Sequence, residues 1–189
     1  MPKPDMHGRT HCPGGSDPIP CLTGEANDYA WMRWAGSAAV TVNTLSSVST
    51  LGGGLDYEAG FVSDTAVSSI SLDLNTGIIQ FTGNINNGFW CASGWALFNG
   101  GATAGSTLGV ALDFGASGSF STYRVGNMMV ANAINEVFRI PVHRLFAQPT
   151  DHNSIRLLVY HDDAGGQDLN SAYLAVFRVN SSVAGTSYP

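Results

Sequence analysis

The stretch "RLLVYHDDAGGQDLNSAYLAVFRV" (residues 156–179) decides how the chain reads. Two apolar runs flank a loop that gathers His161, Asp162, Asp163 and Asp168. Either these groups form a metal or acid–base centre, or the loop only joins two strands. A hydrolytic metal centre needs two or three His or carboxylate ligands on rigid elements, usually at i, i+2 on a strand or i, i+4 on a helix. His7, His11, His143, His152 and His161 supply no H-x-H, and their one H-x3-H pair lies near the N-terminus. A turn needs only what is present: carboxylates that accept from nearby amides, and glycines that adopt positive φ. The loop is therefore expected to be a hairpin connection, with no metal or cofactor.

Outward from this pair, the chain repeats the same grammar. Short apolar or alternating runs such as "SSISLDL" (68–74), "GIIQFTGN" (77–84), "STLGVALDFG" (106–115) and "NEVFRIPVHRLFA" (135–147) are separated by Gly, Asn, Asp and Ser. Runs at this spacing predict an antiparallel all-β sandwich or barrel, and no segment holds a 3.6-residue period over three turns. In "LNTG" (74–77), Asn75 and Gly77 are the residues suited to the positive φ of a tight turn. "IRLLVY" and "AYLAVF" are apolar on both faces, so the outer face of each strand needs a cover, most simply a neighbouring subunit.

Composition narrows the function. Charged residues make up 12% of the chain, against about 25% in a typical soluble domain. A surface so poor in charge points to an oligomer or a larger assembly. With one lysine, scattered arginines and a net charge of -6, nothing neutralises phosphates in series, so nucleic acid is not an expected partner. No apolar run approaches the roughly 18 residues that cross a bilayer, and the N-terminus lacks the apolar segment of a signal peptide. The expected protein is soluble and made in the cytoplasm.

Three parts follow: an extended Pro/Gly-rich arm (1–28), a sandwich domain (29–180) and a tail (181–189). The arm holds five of the 8 prolines and four acids against Lys3 and Arg9. His7, His11, Cys12 and Cys21 offer zinc-compatible donors, but H-x3-H-C-x8-C matches no common zinc module, so an arm that orders on a partner is the better reading. Ile19, Pro20 and Leu22 are its candidate contact residues. Nucleophile elbows and phosphate-binding loops are missing, and no catalytic set can be proposed, so an enzyme is not expected. Trp31, Trp34, Trp90 and Trp95 belong to a core or interface more readily than to a sugar platform. Cys91 reads as a small buried residue.

With the strands placed, "SLDLNTGIIQFTGNINNGFWCASGWALF" (71–98) resembles the central hairpin of the tumour-necrosis-factor-like and complement-head-like jelly rolls. Thr76 and Gly77 stand in the turn, Phe81 in the short strand, and Gly88, Phe89 and Trp90 at the opening of the next. Residues 144–179 are similar to that family's closing strands, with Ile155, Leu157, Val159, Ala172, Leu174 and Val176 where the pattern is apolar. "VYHDDAGG" with "YLAVFRV" looks more like the jelly rolls encoded by tailed bacteriophages, several of them trimeric capsid decoration (cement) proteins. The resemblance implies an all-β jelly-roll sandwich, a homotrimer, a virion location and the major capsid protein of a phage shell as partner. Tyr160 and Tyr173 are the candidate trimer-interface residues. The competing expectation is a trimeric receptor- or glycan-binding head or tail-fibre tip. A small-virus coat protein falls behind, because it would need a basic arm to hold its genome.

Overall fold

A computed structural model describes residues 29–51, 56–62, 70–73, 75–81, 89–116, 119–132, 138–147 and 153–180. The arm and tail, with Ile19, Pro20, Leu22, Cys12, Cys21, His7 and His11, lie outside these residues. The strands are β1 (Tyr29–Val40), β2 (Ser46–Ser47), β3 (Asp56–Val62), β4 (Ile70–Asp73), β5 (Ile78–Phe81), β6 (Phe89–Phe98), β7 (Thr107–Ala116), β8 (Ser119–Val130), β9 (Phe138–Ala147), β10 (Ser154–His161) and β11 (Gln167–Asn180). The helical content of the described residues is a single 3-10 turn, Val48–Thr50.

The strands form two antiparallel sheets. Sheet A has the order β3-β1-β11-β6-β9 and sheet B the order β4-β5-β10-β7-β8, with β2 alongside β10. Neighbours distant in sequence, such as β1 with β11 and β7 with β10, give the crossed connectivity of a jelly roll rather than a meander. The all-β antiparallel jelly-roll sandwich expected from the sequence is the observed fold.

Period-two alternation places the core. Ile155, Leu157, Val159, Ala172, Leu174 and Val176 are all buried between the sheets. Phe81 meets Trp90 edge-on with ring centroids 4.8 Å apart, and Phe114 meets Phe146 in the same way at 5.2 Å. Trp34 belongs to this core as well.

Several details depart from expectation. β1 carries a bulge between Ala35 and Ala38, after which its ladder with β11 resumes in a shifted register, and Gly36 takes the φ of 126° within it. The β4–β5 turn is a hairpin in which Gly77 alone adopts positive φ, at 63°; Asn75 instead donates its amide to Asp73 Oδ1 at 3.0 Å. The expected hairpin between β10 and β11 does not exist, since β10 lies in sheet B and β11 in sheet A. "DDAGG" is a corner that carries the chain from one sheet to the other. On β10, Leu158 points away from the core yet is 2% exposed, so the chain itself covers that residue, while Arg156 and Tyr160 on the same face stay half-buried.

The sandwich has distinct poles. Tyr29 pairs with Phe177 at one end of β1 and Val40 with Gln167 at the other. The arm and the tail therefore join at one pole, and the β6–β7 and β10–β11 corners lie at the opposite, distal pole. Along one side, edge strand β9 carries Pro141, whose missing N–H falls on an edge where none is needed, and Asn127 of edge strand β8 donates its side-chain amide to the Pro141 carbonyl.

Candidate functional site

The loop acids bind structure, not one another. Asp163 is buried and accepts four donors: Thr103 N at 2.9 Å, Thr103 Oγ1 at 2.9 Å, Gly165 N at 3.0 Å and Gln167 Nε2 at 2.9 Å. The Thr103 amide, then the Gly165 amide, with smaller help from the Thr103 hydroxyl and Gln167, hold its pKa at about 2 against the opposing effect of burial. Asp162 Oδ1 accepts from Thr107 N at 2.6 Å, Asp168 from Ser37 Oγ at 3.1 Å, and His161 Nε2 meets the Val40 carbonyl at 2.7 Å. This geometry fastens the two distal corners together. Among the described residues no group of three or more His, Cys, Asp or Glu is placed to hold a metal.

The feature that stands out is the outer face of sheet A. Alternation that buries Met32, Leu174 and Ala96 turns their neighbours outward, and the register aligns these in rows. One row runs Tyr29, Phe177, Cys91, Leu145 across β1, β11, β6 and β9; three of its members are 42%, 42% and 55% exposed in that strand order, Cys91 excepted. In the rows beyond, Trp31 and Tyr173 lie with ring centroids 6.4 Å apart and planes 24° from parallel. Tyr173 and Trp95 continue the line at 6.2 Å and 19°, and the Arg139 guanidinium sits 4.0 Å over the Trp95 ring. Gly60 on β3 leaves the space that Trp31 fills, since a Cβ there would lie 2.8 Å from the indole nitrogen.

Charge borders the aromatic line directly: Arg33 on β1 stands opposite Tyr173 and approaches Glu58 on edge strand β3 to 3.8 Å. Burial pushes the Tyr173 phenol above its usual pKa, so it stays neutral. Cys91 is corrected by the same geometry: it is half-buried on the outer face rather than in the core, and desolvation raises its thiol pKa. A row of half-exposed aromatics and aliphatics flanked by charge is the composition of an interface centre, not of a solvated sheet face.

Of the two tyrosines expected at an interface, Tyr173 stands at the middle of this aromatic line. Tyr160 lies on the outer face of sheet B, its hydroxyl donating to Asn43 Oδ1 at 3.4 Å. They belong to different surfaces. Strand alternation in the sequence marks each aromatic as outward or inward only once the register is known, and Trp31, Trp95 and Tyr173 come from three strands far apart in the chain, so their alignment left no local signal.

Comparison with known proteins locates the fold. No family model matches the chain, and no curated protein does. Among solved structures, PRD1 vertex protein P5 is similar over 83% of this chain and 100% of its own, with TM-score 0.54 and 13% identity. Eiger TNF from S. frugiperda matches at TM-score 0.49 and 10% identity, covering 86% of this chain and 99% of its own. The globular domain of zebrafish complement 1qA matches at 0.48 and 10%, covering 82% and 99%. At these identities the likeness is one of fold alone: this chain shares the jelly-roll fold of the vertex protein.

Proposed function

We propose that the protein is a homotrimeric structural component of a virion surface, a capsid decoration protein that binds the outside of a phage shell and stabilises it. The observation that carries this reading is the aromatic outer face of sheet A. A half-buried line of Trp31, Tyr173 and Trp95 continued by the exposed Tyr29, Phe177 and Leu145 is costly in water, and a second copy of the chain covers it. Burying such a patch contributes on the order of 25 cal/mol per Å² of apolar surface, and a threefold ring closes when each copy sets this patch against a different patch of the next. The fold shared with a phage vertex protein supports the virion assignment, and the low charge suits a surface largely covered in an assembly.

In this arrangement the sheet A faces turn towards the threefold axis. The arm departs from the pole opposite the Asp163 corner, so Ile19, Pro20 and Leu22 are offered to the major capsid protein at that pole while the distal loops face outward. Light scattering on purified protein at micromolar concentration tests the trimer, and co-sedimentation with empty shells tests the partner. A monodisperse monomer would defeat the first part of the reading, and a trimer that stays in the supernatant would defeat the second.

A second reading, a trimeric head that binds glycans, draws on the same aligned rings, because a flat run of indole and phenol faces also stacks on sugars. Quenching or blue shift of tryptophan emission on adding oligosaccharides to the intact oligomer would favour it; rings already covered by a neighbouring copy would not respond.

A further inference from the structure

The outer face of sheet B carries a second surface that the trimer leaves unused. A groove of about 250 Å³ runs there, walled by Leu45, Met128 and Tyr160, floored by Gly109 and Gly126 and ended by Arg124. Leu45 and Met128 are 41% and 70% exposed. The two glycines differ in kind. A Cβ on Gly126 would come within 2.9 Å of the Val110 carbonyl, whereas one on Gly109 would meet Met128 Cγ at an ordinary 3.4 Å. Packing does not require glycine at 109, and its bare backbone is what keeps the floor low.

The groove also has a charge at its end. Asp113, fully buried, accepts from Arg124 Nε at 3.0 Å and from Arg156 Nε and Nη2 at 2.9 Å and 2.8 Å. One carboxylate thus faces two guanidiniums, and Arg156 is further fixed 4.1 Å over the Phe120 ring. Arg124 engages Asp113 through Nε, its side chain is 42% exposed, and it presents an excess positive charge in a chain of net charge -6. Gly109 lies on interior strand β7, whose amides and carbonyls are spent in the ladders with β8 and β10, and Gly126, on edge strand β8, pairs with Ala111 on its inner side. An occupant must therefore be apolar, carry an anion beside its apolar residue, and need no backbone partners. A proline-flanked segment in the polyproline II conformation meets that last condition.

We propose that this groove is the dock for the chain's own residues 17–22, "DPIPCL", with Ile19 between Leu45, Met128 and Tyr160 and the Asp17 carboxylate on Arg124. The arm carries Asp5, Asp17, Glu25 and Asp28 against Lys3 and Arg9, the charge that Arg124 lacks. The ten residues from Ile19 to Tyr29 span up to about 33 Å when extended, about the length of β1, and the groove lies beside the distal pole on the opposite sheet, so the arm of an adjoining copy serves it more readily than the same copy's. Shell and groove then compete for one segment, but the dock stands whether or not a shell is the partner.

Native Cys21, two residues from Ile19, makes the test direct in the full-length protein without any shell. With Leu45→Cys at the groove wall, mild oxidation should join Cys21 to position 45, within or between copies, in preference to Cys12. The same oxidation of an Asn75→Cys chain, exposed in the β4–β5 turn, should yield little. Asp17→Lys should lower the yield about threefold to fivefold, the size of an exposed ion pair; pairing it with Arg124→Glu should restore it. Gly109→Leu, which fills the floor, should abolish it. Equal capture of Cys21 at positions 45 and 75, or a yield indifferent to Asp17→Lys, overturns the assignment.

Discussion

Replacing Asp163 by Asn removes one charge from the distal corner and leaves the shape nearly unchanged. A carboxyl whose pKa falls from 3.8 to about 2 in the folded chain is held more strongly as carboxylate than as acid by about 2.5 kcal/mol, at about 1.36 kcal/mol per decade. The Asn side chain also turns an NH2 towards donors that need an acceptor, so Asp163→Asn should cost at least about 2.5 kcal/mol at neutral pH. The folded-state pKa is the depressed one. Its stabilisation is therefore complete above the unfolded-state value of about 4 and is lost as pH falls through about 2. The gap between wild type and variant should be full at pH 6, narrow below about pH 4 and nearly close by about pH 2. Urea unfolding followed by tryptophan fluorescence, at one fixed protein concentration because assembly is linked to folding, measures it. A variant within about 0.5 kcal/mol of wild type at neutral pH, the range of an ordinary surface change, would refute the clamp. So would a gap that stays constant down to pH 2.5.

Other expectations follow from single contacts. Gly77→Ala forces a Cβ to within 2.6 Å of Ser49 Cβ at a φ of +63°, and should lower the thermal midpoint by several degrees, for a cost of at least about 2 kcal/mol. Tyr173→Glu places a charge in the middle of the aromatic line and should leave the β-rich circular dichroism intact while light scattering falls from trimer to monomer. A chain lacking residues 1–24 should keep the trimer's mass yet sediment with shells far less than the full chain. Asp113→Ala sets Arg124 and Arg156 against each other without their shared partner, and should destabilise the sandwich by about 2–3 kcal/mol in the same urea assay.

The sequence exposed the fold more readily than the site because the two rest on different ranges of order. Short apolar and alternating runs are local and mark the strands, whereas Ile155, Leu157 and Val159 are placed on the apolar side by the family resemblance, since "IRLLVY" is apolar on both faces. Sheet membership is not local: nothing in "HDDAGGQD" says that its flanking strands pair with β7 and β1 rather than with each other, and the expected hairpin was a corner. The same limit explains Cys91 and the two tyrosines. Whether a residue in a doubly apolar strand faces in or out depends on its partners' register, and Tyr160 and Tyr173, alike in sequence setting, were separated by the thickness of the sandwich. Asp163 reads locally as a turn acid; its chief partner, Thr103, sits in another loop.

The seam at Asn127 and Pro141 bears on how copies of this protein can accumulate. A strand edge with free amides is a template, and any chain in extended conformation can add to it and propagate a fibre. Here that side of the molecule offers a proline without an amide, and a carbonyl already occupied by a side chain from the opposite sheet. Growth by strand addition is stopped there for the cost of two residues. Ordered accumulation on that flank must then proceed through side-chain surfaces of fixed size, which close into objects of defined number, so the same molecule can be stored at high concentration without seeding amyloid from this edge.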